Sequence, residues 1–264
     1  MASHKFKFGR KTRGFNMGIP HLSAVRFKLA QPAISFPPSQ DFTPGASDFG
    51  MMLNNELGDC TCAAYYHARQ VWTFNSAGAM QTEPDPDVET LYEAVGGYDP
   101  NAPLSPDGSN PTDQGANEQN VLHYLLTVGA PIGPTGVARD KILAFIEVDP
   151  RNENDLKATI YEFGLAYIGF VVPQSWTNNP PPAVWDKIPG DGSSKEGHAV
   201  ILTGYDAAGY DVISWGAKYK MTSAFLQAYV DEVYAIADNA WMEATGKTPL
   251  GLTAAQLQEL MKSL

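Results

Sequence analysis

Cysteine is scarce in this sequence: 264 residues contain only Cys60 and Cys62. A Cys-x-Cys pair cannot build a disulfide framework, so folding in a reducing cytoplasm is the expected setting. No second Cys/His pair at ligand spacing accompanies them, which argues against a zinc site, and no cofactor is indicated. No run of 18 apolar residues exists, so no membrane span is expected. The basic N-terminus lacks an apolar core, so it does not read as a secretory signal. No internal repeat is visible. Acid is missing from residues 1–40, which carry seven bases: Lys5, Lys7, Arg10, Lys11, Arg13, Arg26 and Lys28. The other 11 Lys/Arg face all 29 acids, and the net charge is −11. An acidic body repels nucleic acid and favours solubility. The basic arm has three outlets: phosphate or nucleic acid, an acidic partner surface, or the acidic body of its own or a neighbouring subunit.

Hydrophobic content of 44% is ample for a packed core. Residues 1–49 show little periodicity. Phe6, Phe8, Phe15 and Phe27 are spaced among the bases, and Pro32, Pro37, Pro38 and Pro44 interrupt the later part. They read as an extended arm, too short and irregular for a second domain. Such an arm serves assembly or hugs the core as a prosegment; its lack of helical pattern favours assembly. The body is expected over 50–240, with a C-terminal helical extension over 241–264.

Along that body, apolar or small residues at 60, 63, 64, 68, 71 and 72 predict a helix with one buried face. Further helices are expected over 87–95, over 119–128 with Gly129 as the stop, from 155 to Gly164, and over 224–230. Thr253 caps a last one. Strands are expected at 166–172, 198–205, 210–215 and 232–237. Two long Pro-rich loops, 96–117 and 173–197, separate them; loops of this length in a compact domain are usually functional.

The stretch Asn54-Asn55-Glu56-Leu57-Gly58-Asp59-Cys60-Thr61-Cys62-Ala63-Ala64 organises the rest. Asp59 is a good N-cap residue. Cys60 falls in the first turn, where the positive end of the helix dipole favours a thiolate. Asn54 supplies an amide six residues earlier. A nucleophile at a helix start with an amide donor upstream suits acyl transfer. The alternative is a small buried core residue. Cys62 points roughly 200° around the helix from Cys60 and reads as core. His67 lies two turns from Cys60 and reads as structural; His4, His21 and His123 have no motif around them.

Amide, five residues, cysteine and a small-residue helix resemble the papain-like cysteine peptidase superfamily, including its leader-processing branch. Gly197-His198-Ala199-Val200-Ile201-Leu202-Thr203-Gly204-Tyr205 is similar to that superfamily's histidine strand, and Ser214-Trp215-Gly216 to its tryptophan turn. His198 follows Cys60 at the spacing of about 130–150 residues usual for papain-type enzymes. Asp113-Gln114-Gly115 resembles the substrate loop. The resemblance covers roughly residues 50–236. It implies an α+β, two-lobe fold: a helical lobe carrying the nucleophile helix, and an antiparallel sheet lobe.

The resemblance also implies roles. Cys60 would be the nucleophile and His198 the general base; Asn54 and the Cys60 backbone N–H would hold the oxyanion, and Gly115 would border the substrate. Cys60 and His198 are then expected within hydrogen-bonding reach, with Asn54 in the same pocket and Trp215 covering the far side of the imidazole. Two departures stand out. Asn54 is one methylene shorter than the superfamily's glutamine. Ile213 occupies the place of the asparagine that orients the imidazole, leaving Ser214 or a backbone carbonyl as third member; Asp211 lies further back. Loss of the orienting group lowers the rate without always abolishing it.

Chain length, basic arm and the Gly-Asp-Cys-Thr-x-Ala-Ala form resemble papain-like proteins encoded by tailed phages and prophages. That implies either a cysteine hydrolase acting on a peptide or isopeptide bond, or an inert capsid or tail component that reuses the fold, located in the cytoplasm or the virion. Its partners would be a peptide or protein substrate and phage structural proteins. Trp176 and Trp185 either stack on substrate or, more simply, pin their loop.

Overall fold

The structure, a computed structural model, describes residues 6–12, 18–28, 35–246 and 249–262. His4, Lys5, Arg13, Phe15 and Pro32 lie outside them, as do the side chains of Phe27 and Lys28. In chain order the elements are α1 (Leu22–Lys28), β1 (Gln40–Asp41), α2 (Cys60–Ala77), α3 (Asp85–Gly96) and α4 (Glu118–Thr127). A small hairpin follows, β2 (Ala130–Ile132) with β3 (Ala138–Asp140), then β4 (Ala144–Glu147) and α5 (Glu153–Phe163). The sheet lobe continues through β5 (Ala166–Pro173), β6 (Val184–Trp185), β7 (Ser193–Asp206), β8 (Gly209–Ser214) and β9 (Ala217–Met221). The chain closes with α6 (Ser223–Tyr229), β10 (Val230–Ala237), α7 (Asn239–Thr245) and α8 (Ala254–Lys262). This is the α+β, two-lobe arrangement: helices around α2, and a sheet in the order β4-β10-β5-β7-β8-β9-β6 with β1 on β7. All its pairings are antiparallel except β6 with β9.

Helix α2 differs from its periodicity. Every residue from Cys60 to Trp72 is buried, not one face. A helix enclosed on all sides must satisfy most of its polar side chains internally, and here Thr61 Oγ1, Arg69 Nε and Gln70 Oε1 are the exceptions among the described residues. Gln70 donates to Phe49 O at 3.0 Å, and His67 Nε2 lies 3.1 Å from Gly50 O. Tyr66 Oη lies within hydrogen-bonding distance of the carbonyls of Asp87 and Pro131, sharing its one hydrogen between them. Burial lowers the His67 pKa to about 4, keeping it neutral in this structural role. Trp72 donates its indole N–H to Phe163 O at 3.0 Å, tying α2 to the end of α5. There Gly164 adopts φ 83° as the left-handed cap.

Several boundaries move. The arm is not extended throughout, since α1 forms within it. The loop expected over 173–197 ends early: β7 begins at Ser193, so His198 sits inside a strand rather than at its start. Long-range pairing with β5 extends the strand through polar residues that carry no alternation. Trp176 and Trp185 pack edge to face at 5.2 Å against Phe170 and Phe225, which pins the loop. Helix α7 packs into the body: Trp241 is buried, donates to Glu162 O at 2.8 Å and meets Phe42 edge-on. Among the described residues no helix is long and apolar enough to cross a membrane.

Trp72→Ala would remove both the indole hydrogen bond and the fill of the α2–α5 contact. A destabilisation of about 3–5 kcal/mol is expected for a buried tryptophan truncated in this way. Urea unfolding followed by far-UV circular dichroism measures it; a loss under about 1 kcal/mol would show that α2 is not the scaffold described.

Candidate active site

Cys60 is the first residue of α2, and the preceding loop is strained. Met52 and Leu53 both take positive φ, 50° and 64°, immediately before Asn54. Strain of this kind persists only where surrounding contacts over-determine it. It turns Asn54 inward, where its amide donates to Leu57 O at 3.3 Å and to Asp59 Oδ1 at 3.1 Å. Those two bonds use both amide hydrogens, so Asn54 braces its own loop. Asp59 therefore does not cap α2 through its side chain, contrary to its position in the sequence. Its carboxylate is committed to Asn54 and its own backbone N–H, and burial holds its pKa well above the usual carboxylate range.

His198 lies on β7 opposite Phe170 of β5. Its Nε2 is 2.8 Å from Ser214 Oγ. Ile213 packs in the core beside it in the register, paired with Ile201. Serine is both donor and acceptor, so unlike an asparagine carbonyl it accepts either imidazole tautomer. Trp215 stacks on the ring at 4.1 Å and 7°. The reason is local: Ser214 pairs with Ala217, so Trp215-Gly216 is a two-residue hairpin turn with both φ positive, 45° and 72°. Phe49 N–H holds that turn through Gly216 O at 3.1 Å.

The arm occupies the space between the lobes. Lys7 N–H donates to Asn54 O at 3.3 Å, Ala116 N–H to Gly9 O at 2.9 Å, Lys11 N–H to Ala116 O at 2.9 Å, and Arg10 N–H to Gly197 O at 3.1 Å. Residues 9–11 are thus strung between the Gly115 loop and the strand bearing His198. Phe8 stands T-shaped to the imidazole and to Trp215, with ring centroids 5.7 Å and 5.9 Å apart, and Phe6 to Trp215 at 4.8 Å between centroids. Glycine is required where backbones touch. A Cβ on Gly9 would overlap the Gly58 carbonyl, and one on Gly115 the Gly9 carbonyl. Gly115 also has φ 75° and donates its N–H to Tyr92 Oη at 2.8 Å. A hollow of about 390 Å³ remains, walled by arm residues 7–12 on one side and by Gly58, Asp113 and Glu196 on the other.

This cover inverts the charge state read from the helix dipole. The Cys60 thiol is pushed from its ordinary 9.0 up to about 12, chiefly by burial, although the backbone amides of Ala199 and Gly9 pull it down. A rise of that size corresponds to roughly 4 kcal/mol, beyond the ~2 kcal/mol a helix terminus supplies at best. Burial likewise drives His198 down to about 3, with His67 adding a smaller push. At neutral pH the closed site holds a neutral thiol and a neutral imidazole, not an ion pair. The ring makes no hydrogen bond to the thiol: Nε2 is with Ser214, and Nδ1 is buried without a partner among the described residues. The backbone of Ala199, next in sequence to His198, and that of Gly9 are the groups that pull the thiol pKa back down.

Phe8, Gly9 and Arg10 are site residues that periodicity did not reveal. The one local signal was a glycine between an aromatic and a base in an otherwise bulky arm.

No protein-family model matches the sequence, and no curated protein matches it either. Solved structures do. Xylellain, a cysteine protease from Xylella fastidiosa, superposes with a TM-score of 0.63 at 17% identity, over 90% of this chain and 99% of its own. A procathepsin B from Trypanosoma congolense gives 0.60 at 11% identity, over 88% and 87%. Procathepsin L2 from Tenebrio molitor gives 0.58 at 16%, over 88% and 78%. The fold is papain-like.

In a Cys62→Ala background, iodoacetamide should label Cys60 slowly from pH 6 to 9. A thiol with a pKa near 12 is ionised in only about one molecule in 10⁵ at pH 7. Since the folded pKa is raised, labelling should climb only in strong alkali. Gly9→Val, which cannot seat against Gly58, should speed neutral labelling at least about tenfold. Fast neutral labelling of the parent chain would refute the closed site.

Proposed function

We propose that this chain is a cysteine peptidase or hydrolase acting on a peptide or isopeptide bond, held closed by residues 6–12 of its own arm. The observation carrying this reading is the juxtaposition of Cys60 at the start of α2 with the amide next to His198, in a cleft already bridged by extended backbone. A cleft that hydrogen-bonds an extended segment from both sides fits a peptide ligand. The arm is thereby read as a blocking segment, in place of the assembly role favoured by its lack of helical pattern.

Once the arm leaves, water re-enters, the Cys60 pKa falls and that of His198 rises, since burial is the leading cause of both displacements. His198 Nδ1 then takes the Cys60 proton while Nε2–H donates to Ser214. The thiolate attacks the scissile carbonyl, forming a C–S bond. The Cys60 backbone N–H, in a helical turn whose first amides have no intrahelical partner, faces the developing oxyanion. Asn54 joins it on release from Asp59. His198 returns the proton to the leaving nitrogen as the C–N bond breaks, and then activates water against the thioester.

A second reading is an inert papain-fold component of a phage capsid or tail, located in the virion. The commitment of both Asn54 amide hydrogens to Leu57 and Asp59 favours it, because a braced amide does not serve an oxyanion.

The Gly9→Val chain, tested on a fluorogenic peptide library, should hydrolyse peptides. Cys60→Ala and His198→Ala should each lower the rate by at least about 10³-fold. Ser214→Ala should cost less, about tenfold, if serine only steadies the ring. Absence of turnover in Gly9→Val despite a rapidly alkylated Cys60 would favour the inert component.

A further inference from the structure

Arg10 anchors the described arm segment 6–12 most deeply. Arg10 is buried, and its guanidinium meets three carboxylates: Nε to Glu118 Oε2 at 2.5 Å, Nη2 to Glu232 Oε1 at 2.6 Å, and Nη2 to Asp231 Oδ1 at 2.8 Å. One partner would suffice for a structural ion pair. Three carboxylates, from α4 and from the start of β10, form a cation socket, and only its occupant comes from the arm. The socket is built in depth. A bulge between Val230 and Glu232 places consecutive acids on one guanidinium. Tyr234 donates to Glu232 Oε2 at 2.7 Å and receives from Gln119 at 3.0 Å, which orients that carboxylate.

Two glycines clear the space. A Cβ on Gly169 would overlap Arg10 Nε and Glu118 Oε1, and one on Gly197 would press on the Arg10 carbonyl. Glu118 is fully buried; its Oε1 and Arg10 Nη1 both lack a hydrogen-bond partner among the described residues, so this guanidinium leaves one donor and one acceptor of the socket unmatched. Burial lifts the Glu118 pKa to about 8 even with Arg10 opposing it. Glu118 and Glu232 are buried and Asp231 is part-exposed, so a new cationic donor entering the emptied socket meets the same three carboxyl groups. The socket also adjoins the reaction centre: Gly197, which receives the Arg10 N–H, precedes His198, and the Gly9 backbone acts on the Cys60 thiol.

We propose that the pocket of Glu118, Asp231 and Glu232 is the specificity pocket of the cleft, selecting substrates with an arginine side chain close to the scissile bond, and that Arg10 occupies it as a stand-in for that side chain. This rests on the peptide-cleaving reading of the cleft. A guanidinium suits the pocket better than an ammonium because its planar fork serves several carboxylates at once.

The test uses the full chain carrying Gly9→Val, Arg10→Ala and Cys60→Ala, which empties the pocket and prevents turnover. Fluorescence anisotropy compares short peptides identical except for arginine, lysine, or citrulline, the neutral isostere. Arginine should bind at least about tenfold tighter than citrulline, with lysine between, and adding Glu232→Gln should narrow the gap. Equal affinity for arginine and citrulline, or no binding of any of them, overturns the proposal. If the variant does not fold, the same comparison is made with Glu118→Gln added, which leaves one acid fewer in the emptied pocket. Arginine-selective binding without turnover in the Cys60-containing chain would defeat the peptidase reading and keep the pocket. Turnover indifferent to arginine would do the reverse.

Discussion

The contact on which the rest depends is the buried guanidinium of Arg10. It joins Glu118, at the first turn of a helix in one lobe, to Asp231 and Glu232 on a strand of the other. Breaking a buried ion pair by removing one partner costs about 3–5 kcal/mol, because the remaining charge is left without compensation. That cost holds the arm in the cleft. With Arg10 fixed, Gly9 is pressed on Gly58 and Gly115, and Phe8 is delivered to the imidazole. Lys7, Gly9, Arg10 and Lys11 then complete backbone hydrogen bonds to both lobes. A short segment gains from this arrangement because both walls present backbone groups already held in place by Tyr92, Asp113 and the strained 52–54 loop.

The same contact sets the chemistry of the closed state. Desolvation acts on Cys60 and His198 in opposite directions, raising the thiol and lowering the imidazole, and so stabilises the neutral pair from both sides. The helix dipole at the start of α2 is still present but is outweighed. The arm packs at the site through Phe8 and Gly9, and Cys60 and His198 are both buried from water. The aromatic enclosure of His198 by Trp215, Phe8 and Phe170 contributes to that burial.

Much of the scaffold was legible in order of residues. Helical spacing located α2, α3, α4 and α5 to within a few positions, and the glycines expected as stops, Gly129 and Gly164, follow the ends of α4 and α5. Short elements were not: β2, β3, β4, β9 and α7 carry too few residues for a period, and they exist because neighbours complete their hydrogen bonds or cover an apolar face. The order of the motifs around Cys60 and His198 pointed to the two-lobe fold, because a nucleophile helix and a histidine strand are each local patterns.

What surrounds those two residues is not local. Residues 6–12 read as a basic, aromatic arm, and composition could say that it would seek acids but not which ones. Only the tertiary fold brings Glu118, Asp231 and Glu232 within reach of Arg10, across sequence separations of 108 to 222 residues. Protonation at Cys60 shows the same division. Its place in the first turn of α2 follows from sequence, and that place alone favours a thiolate. Whether the thiolate forms depends on water, and access to water depends on everything packed over the site, including the distant Gly9 backbone that acts on the Cys60 thiol. The sequence by itself placed Cys60 at a helix start and His198 on a strand; the tertiary structure decided their solvation, because burial is a property of everything packed around a group and of nothing in the group itself.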